Sequence, residues 1–318
     1  MVSLSEAKKE LRKYFVDVVS CTKLDKGTSG NTYILKSDKK KYVLKLYKKS
    51  DMKWIKNMIN YLIKINDKKK IALAPINKKV LEIGDMVGYF YEFFPGKNYS
   101  KIKIPRKLYS FGKIVGEFSQ QSKNIALKSW EDINKNKKDT LEGIRNLRRS
   151  LTNKQDIYLE IFSLIDSSWP LVDKSPIKGK YRKQLVHGDL HMDNVFYNEK
   201  TKKSLIADVD GLDGRIISKE VAVILSYELT NSVNKNEKMI REIFRGYESK
   251  YELTRSEKKI IPQLMIIRKY GEILWLVEQY RKGSISVREF KTFIRTSLRH
   301  LRIISGQYSK LSEIFKKI

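Results

Sequence analysis

The stretch His187-Gly188-Asp189-Leu190-His191-Met192-Asp193-Asn194, followed by Ile206-Ala207-Asp208-Val209-Asp210-Gly211, decides how this chain is read. Apolar runs border it, Gln184-Leu185-Val186 before and Ser204-Leu205-Ile206-Ala207 after, and their length and composition predict two short strands around a polar loop. Transfer of a phosphoryl group to a hydroxyl needs an anion that orients the hydroxyl and takes its proton. It also needs oxygen ligands for the Mg²⁺ that neutralises the phosphates. Asp189, Asn194 and Asp208 supply that set.

An isolated loop aspartate usually caps a backbone amide. Three polar positions at fixed spacing are a different matter: Asp189 and Asn194 are five apart, the spacing of base and metal ligand in kinase catalytic loops, and Asp208 comes fourteen residues later, after an apolar strand. His187, two residues before the aspartate, reads as a structural hydrogen-bonding residue. His191 suits either a phosphate contact or packing.

Upstream, Lys26-Gly27-Thr28-Ser29-Gly30-Asn31-Thr32-Tyr33 is a glycine-containing turn between predicted strands, and Lys45 lies in the apolar run Tyr42-Val43-Leu44-Lys45-Leu46-Tyr47. Glycine removes the Cβ and lets backbone amides approach a phosphate, which makes Gly27, Ser29, Gly30 and Asn31 candidate nucleotide contacts. An ammonium inside an apolar strand is costly unless it meets an anion, so Lys45 is expected to bind one.

The chain has 318 residues, enough for two domains or one bilobal unit, and 66 Lys plus Arg against 36 Asp plus Glu, a formal charge of +30. With 41% hydrophobic and 11% aromatic residues it has the material to fold. A single cysteine, Cys21, excludes an internal disulfide and a zinc ribbon, and the cytoplasm is the expected compartment. No apolar run is long enough to span a membrane, and the charged N-terminus has no signal-peptide pattern. The positive charge is mostly lysine, 50 residues scattered through turn-like segments, so a nucleic-acid partner is not expected.

Residues 1–94 read as strands around one helix. Cys21 to Leu24, Tyr33 to Leu35, Tyr42 to Tyr47, Lys79 to Ile83 and Val87 to Phe93 are strands. Trp54, Ile55, Met58, Ile59, Leu62 and Ile65 recur at helical spacing over Met52 to Ile65. Pro95-Gly96 marks the domain boundary. Residues 95–318 are mainly helical, with a helix over about 106–121, an unassigned Lys-rich stretch over 123–155, and a capping box, Thr254 to Glu257, before a long helix interrupted at Pro262.

Together HGDLHMDN, IADVDG, KGTSGNTY, YVLK and YEFFPG resemble the aminoglycoside phosphotransferase and choline kinase family of small-molecule phosphotransferases, over roughly residues 20–225. The resemblance implies an α+β, protein-kinase-like two-lobed fold with a small antiparallel-sheet N-lobe, 1–94, and a mainly helical C-lobe, 95–318. It implies ATP or GTP in the cleft with adenine held by backbone near Glu92 to Phe94. By matching position, Asp189 would be the catalytic base, Asn194 and Asp208 the Mg²⁺ ligands, Lys45 the phosphate-binding lysine, and Glu220 the acidic residue that supports the loop.

One feature departs from the kinase pattern. Between Lys45 and Glu82 there is no glutamate to pair with the lysine, only Asp51 and Asp67 at the helix ends, and Asn57 is the candidate replacement. Weak positioning of this kind predicts a loss of only about 10-fold for Lys45→Ala.

The activity implied is transfer of the γ-phosphoryl group to a hydroxyl of a small molecule: an antibiotic such as an aminoglycoside, an amino alcohol, a sugar or a nucleoside. The alternative is a non-catalytic nucleotide-binding module acting through a protein partner. Candidate acceptor contacts are Asp210, Glu272 and Trp275, the last two on one helical stripe with Arg268 and Gln279. Residues 211–318 hold 22 Lys plus Arg against 12 Asp plus Glu, which leans the acceptor towards a neutral, singly charged or anionic compound rather than a polycation.

Overall fold

Asn31–Lys36, where buried and half-buried residues alternate, and Lys41–Lys48, buried without a break from Val43 to Tyr47, form a hairpin whose partners run from Asn31 opposite Leu46 to Lys36 opposite Lys41. These are β2 and β3 of a five-stranded antiparallel sheet. The others are β1 (Ser20–Leu24), β4 (Leu81–Ile83) and β5 (Met86–Glu92), in the order β1-β2-β3-β5-β4. The computed structural model describes residues 4–14, 16–24, 31–127, 130–150, 156–173 and 177–318.

The chain forms two compact units. The first comprises Met1–Ile104, Gln120–Ile125 and Asp193–Leu212. An N-terminal helix, α1 (Leu4–Leu11), places Ala7 and Leu11 in one core with Val16, Val18, Tyr33, Leu35, Leu44, Leu46, Leu81, Ile83 and Phe90. The sequence reading has a single helix in this region and does not include α1, whose four Lys and Glu residues dilute its apolar period. Helix α2 (Met52–Ile65) occupies the predicted span and buries Ile55, Met58, Ile59, Leu62 and Ile65. The later segment joins this unit by pairing: Val195–Asn198 lies between Lys97–Asn98 and Lys203–Ile206. Ile206 donates its N–H to Ile71 at 2.9 Å, and its carbonyl accepts from Leu73 at 2.8 Å.

The second unit comprises Pro105–Ser119, Ala126–Met192 and Asp213–Ile318. Its strands are Lys183–Val186 and Asp213–Ile216, paired antiparallel; the latter, Asp-Gly-Arg-Ile, has a single apolar residue and so carries no strand signal. Its helices are α3 (Lys107–Ser122), α4 (Ile133–Ser150, inside the stretch left unassigned), α5 (Asp156–Ser168), α6 (Ile217–Glu228), α7 (Val233–Glu248), α8 (Ile261–Arg281), α9 (Val287–Gly306) and α10 (Tyr308–Lys317). Every residue of α6 from Ile217 to Ser226 is buried, as befits a helix at the centre of a core. Helix α8 packs against α4, α6 and α9. Pro262 begins α8 instead of interrupting a helix, because its missing N–H costs nothing in the first turn. The Thr254–Glu257 capping box forms as read, on the short helix Arg255–Lys259.

Helices α3 and α7 touch through glycine. A Cβ at Gly112 would lie 2.0 Å from the Ile243 carbonyl oxygen, one at Gly116 2.3 Å from that of Tyr247, and one at Gly246 2.0 Å from that of Tyr109. Backbone cannot move aside as a side chain tip does. Gly246→Ala is therefore expected to cost about 1–3 kcal/mol, read as a lower urea midpoint, whereas alanine at Gly306, which meets nothing, should not destabilise.

Candidate active site

Two groups of charged side chains are built from the predicted motifs, one in each unit. In the first unit Lys45, on β3, is 8% exposed. Its ammonium donates to Asp208 at 2.7 Å and to Asp210 at 3.1 Å. Asp210 also accepts from the hydroxyls of Tyr47 at 2.8 Å and Tyr89 at 3.2 Å. Strand geometry explains the cluster: Tyr47 is two residues from Lys45 on the same face, and Tyr89 is the cross-strand partner of Lys45. Burial works against the ammonium, yet Asp210, Tyr47 and Asp208 outweigh it and hold its pKa above the ordinary value. Burial, then the Asp210 charge, pushes the Tyr89 phenol up as well.

These contacts correct the expected pairing of Lys45. Neither Asn57 nor a helix-end aspartate meets it; the acid comes from Asp210, two residues beyond Asp208. Asp210 was expected to touch the acceptor, and its carboxylate is instead engaged by Lys45 and two tyrosines. The tyrosines were missed, although their strand register is the signal that could have found them.

Asp208 adopts a left-handed backbone conformation, φ 56° and ψ 51°, which aspartate tolerates better than most residues. Its carboxylate is about half exposed, while Asn194 is buried. The Asn194 carbonyl accepts from the Ala207 N–H at 2.8 Å, tying the residue before Asp208 to Asn194. One carboxylate and one carboxamide oxygen are hard donors of the kind Mg²⁺ takes alongside phosphates and water. No cluster of three or more His, Cys, Asp or Glu that would cage a metal by itself occurs among the described residues. The donor set thus fits a metal brought with a nucleotide.

Of the other expected nucleotide contacts, Gly27, Ser29 and Gly30 lie outside the described residues. Asn31 opens β2 with its amide 3.8 Å from the Met86 sulfur. Glu92 ends β5, paired with Lys40 at 3.1 Å, and Phe94 follows it, half-buried, its carbonyl accepting from Gly96.

In the second unit the His187 and Gly188 N–H groups each donate at 3.0 Å to one oxygen of the buried Glu220. Gly188 has φ 81°, a conformation that L side chains rarely adopt, so the loop needs glycine there. Burial pushes the Glu220 pKa up, opposed by His187 and these two N–H donors. His187 is buried with its ring edge-on to Phe118, and His191 lies 4.9 Å from the Tyr227 ring.

Asp189 emerges from this loop with its side chain about two-fifths exposed. Arg268, on α8, donates from Nη2 to Asp189 at 2.7 Å and to the Tyr227 hydroxyl at 3.1 Å. That hydroxyl has two acceptors in reach, Asp189 at 3.4 Å and Glu272 at 3.3 Å. Glu272 accepts from Lys269 at 2.8 Å and from the Ser297 hydroxyl, and the Lys269 ammonium lies 3.9 Å from the centre of the Tyr227 ring. Burial opposes the Glu272 charge, but Lys269 and Ser297 outweigh it and leave its pKa low. Trp275, one turn on, is exposed on α8. Arg268 and Glu272 share a predicted stripe, whereas Tyr227 had no signal in the sequence.

His300 closes this cluster, its ring edge-on to Tyr227, with Arg299 donating to Nε2 at 3.3 Å, so that Nδ1 carries the proton. Burial, then Lys269 and Arg299, pushes its pKa from 6.5 down to about 4. The unfolded chain therefore binds the extra proton between these values and the folded chain does not. Stability should be full above pH 6.5 and fall as pH drops towards 4, and His300→Gln should flatten that part of a melting-temperature profile.

A family model described as "Phosphotransferase enzyme family" matches residues 20–210. No curated protein matches the chain by sequence. Solved structures similar to it include an amicoumacin kinase in complex with AMP-PNP and Ca²⁺, 16% identical with a TM-score of 0.66 over 96% of both chains. A spectinomycin phosphotransferase in complex with ADP is 14% identical with a TM-score of 0.62, covering 99% of this chain and 98% of its own. A choline kinase from Streptococcus pneumoniae is 15% identical with a TM-score of 0.61, covering 93% and 98%. Among the described residues no helix is long and apolar enough to cross a membrane.

Proposed function

The chain belongs to the phosphotransferase enzyme family, and we propose that it moves the γ-phosphoryl group of ATP to a hydroxyl of a small molecule. The observation that carries this reading is the buried Lys45 ammonium 2.7 Å from the half-exposed Asp208 carboxylate, a cation and an open oxygen donor side by side, as phosphate and its metal require. Similar proteins bind AMP-PNP and ADP, which favours ATP over GTP. The reading places the nucleotide-binding lobe at 1–94, the acceptor lobe at 95–318, and the protein in the cytoplasm.

In the reaction the acceptor oxygen forms the new bond to phosphorus, the bridging bond to the β-phosphate breaks, and ADP leaves. Asp189 orients the acceptor hydroxyl and takes its proton. Glu220 fixes the loop that presents Asp189 by holding two successive N–H groups. Lys45 offers its ammonium to the phosphates, positioned by Asp210 and, through it, by Tyr47 and Tyr89. Asn194 and Asp208 would hold Mg²⁺, which when bound offsets phosphate charge. Gly27, Ser29, Gly30 and Asn31 are assigned to the phosphate side, Glu92 and Phe94 to the base, and Glu272 and Trp275 to the acceptor side.

Asp189→Asn should keep nucleotide binding and lose about 10²-fold or more in turnover, measured as ADP release beside a nucleotide-dependent thermal shift. Equal turnover in the two proteins would remove the catalytic reading and favour a nucleotide-binding module. Asp208→Ala should abolish the Mg²⁺-dependent part of the thermal shift. With Asp210 as its partner, Lys45 is well positioned, and Lys45→Ala is expected to lose about 10²-fold, not 10-fold; Asp210→Asn, which keeps the shape and removes the charge, should reproduce much of that loss.

A further inference from the structure

We propose that Arg268 is an acceptor-binding residue and that it selects a hydroxyl compound carrying an oxyanion, in the simplest case a carboxylate. The inference rests on the phosphotransferase reading of Asp189 and narrows its acceptor.

Guanidinium has five N–H donors on three nitrogens. In Arg268 only Nη2 is engaged, by Asp189 and Tyr227. Nε is buried without an acceptor. Among the described residues Nη1 has no hydrogen-bond partner, and the Arg268 side chain is about a quarter exposed. Two donors on a fixed cation therefore stand one guanidinium width from the carboxylate that receives the acceptor hydroxyl. Their position is rigid because Tyr227 and Asp189 hold the other arm.

The nearby charges point to the same ligand. Asp189 is held by Arg268, Glu272 by Lys269, and Glu131 by Lys219 at 2.6 Å. Each of these carboxylates already has a cation, so an ammonium on the acceptor would have to displace one. An oxyanion meets the Nη1 donors in a charge-assisted hydrogen bond suited to arginine. Discrimination then has an attractive arm for acids and a repulsive arm for amines.

The test uses carbon-matched acceptors: glycerate, glycerol and 3-amino-1,2-propanediol, then 4-hydroxybutyrate, 1,4-butanediol and 4-amino-1-butanol, with kanamycin as a polycation. Initial rates of ADP release and product phosphate are measured for the parent, Arg268→Gln and Arg268→Lys. In the parent, kcat/KM for at least one hydroxy acid should exceed that of its matched amine by 10-fold or more. Arg268→Gln should collapse that ratio towards one, mainly through KM for the acid, and Arg268→Lys should restore part of it. Preference for the amine or kanamycin in the parent, an acid-to-amine ratio near one, or a variant that loses rate equally on all acceptors would overturn the proposal.

If Arg268→Gln does not fold, the parent's ratio and the binding of each hydroxy acid to the ADP-bound parent by calorimetry decide it alone. A panel with neither turnover nor binding of an acid also overturns it. The wider reading is judged separately, by nucleotide binding and by slow ATP hydrolysis lost in Asp189→Asn. If these persist, only the acceptor assignment falls.

Discussion

A lysine ammonium inside a β-sheet is the constraint on which the first unit depends. Taking Lys45 out of water is tolerable only because two carboxylates meet it, and one of those, Asp210, is acceptable in turn only because two tyrosine hydroxyls and the lysine occupy its oxygens. The requirement reaches far along the chain, since Asp208 and Asp210 lie more than 160 residues from Lys45. The hairpin of Val195–Asn198 and Lys203–Ile206 pairs with Lys97–Asn98 and the 71–73 segment, and so carries the two aspartates into the sheet unit.

The second unit solves a related problem differently. Its loop is held by one buried glutamate that serves two amides, and Asp189 is held from the side by an arginine. Removing the glutamate would leave two amide donors unmatched, which costs more than the contacts themselves are worth. The network from Arg268 through Tyr227 to Glu272, Lys269 and Ser297 therefore fixes a geometry as well as a charge.

Much of this was legible from local pattern. Helix α2 shows its period in Ile55, Met58, Ile59, Leu62 and Ile65 because it buries one face, and β3 shows itself as an unbroken run of β-formers because it is buried on both faces from Val43 to Tyr47. The loop residues Asp189, Asn194 and Asp208 were legible because their spacing is chemical. What could not be read was pairing across distance. The acid for Lys45 was sought in the following helix, where kinase-like folds usually keep it, and came from a turn far along the chain. Tyr227 sits in α6, a helix buried all round from Ile217 to Ser226, so that no face of it stands out, and α1 and the strand Asp213–Ile216 are too charged to show a period.

The source of the Lys45 partner also bears on control. Where the acid sits on a helix, moving that helix breaks the ion pair, and the enzyme has a lever that a partner or a modification can pull. Here the acid follows Asp208 by two residues and is locked to the sheet by Tyr47 and Tyr89, so no residue of α2 is a member of the ion pair. The ion pair assembles with the fold and offers no handle of that kind.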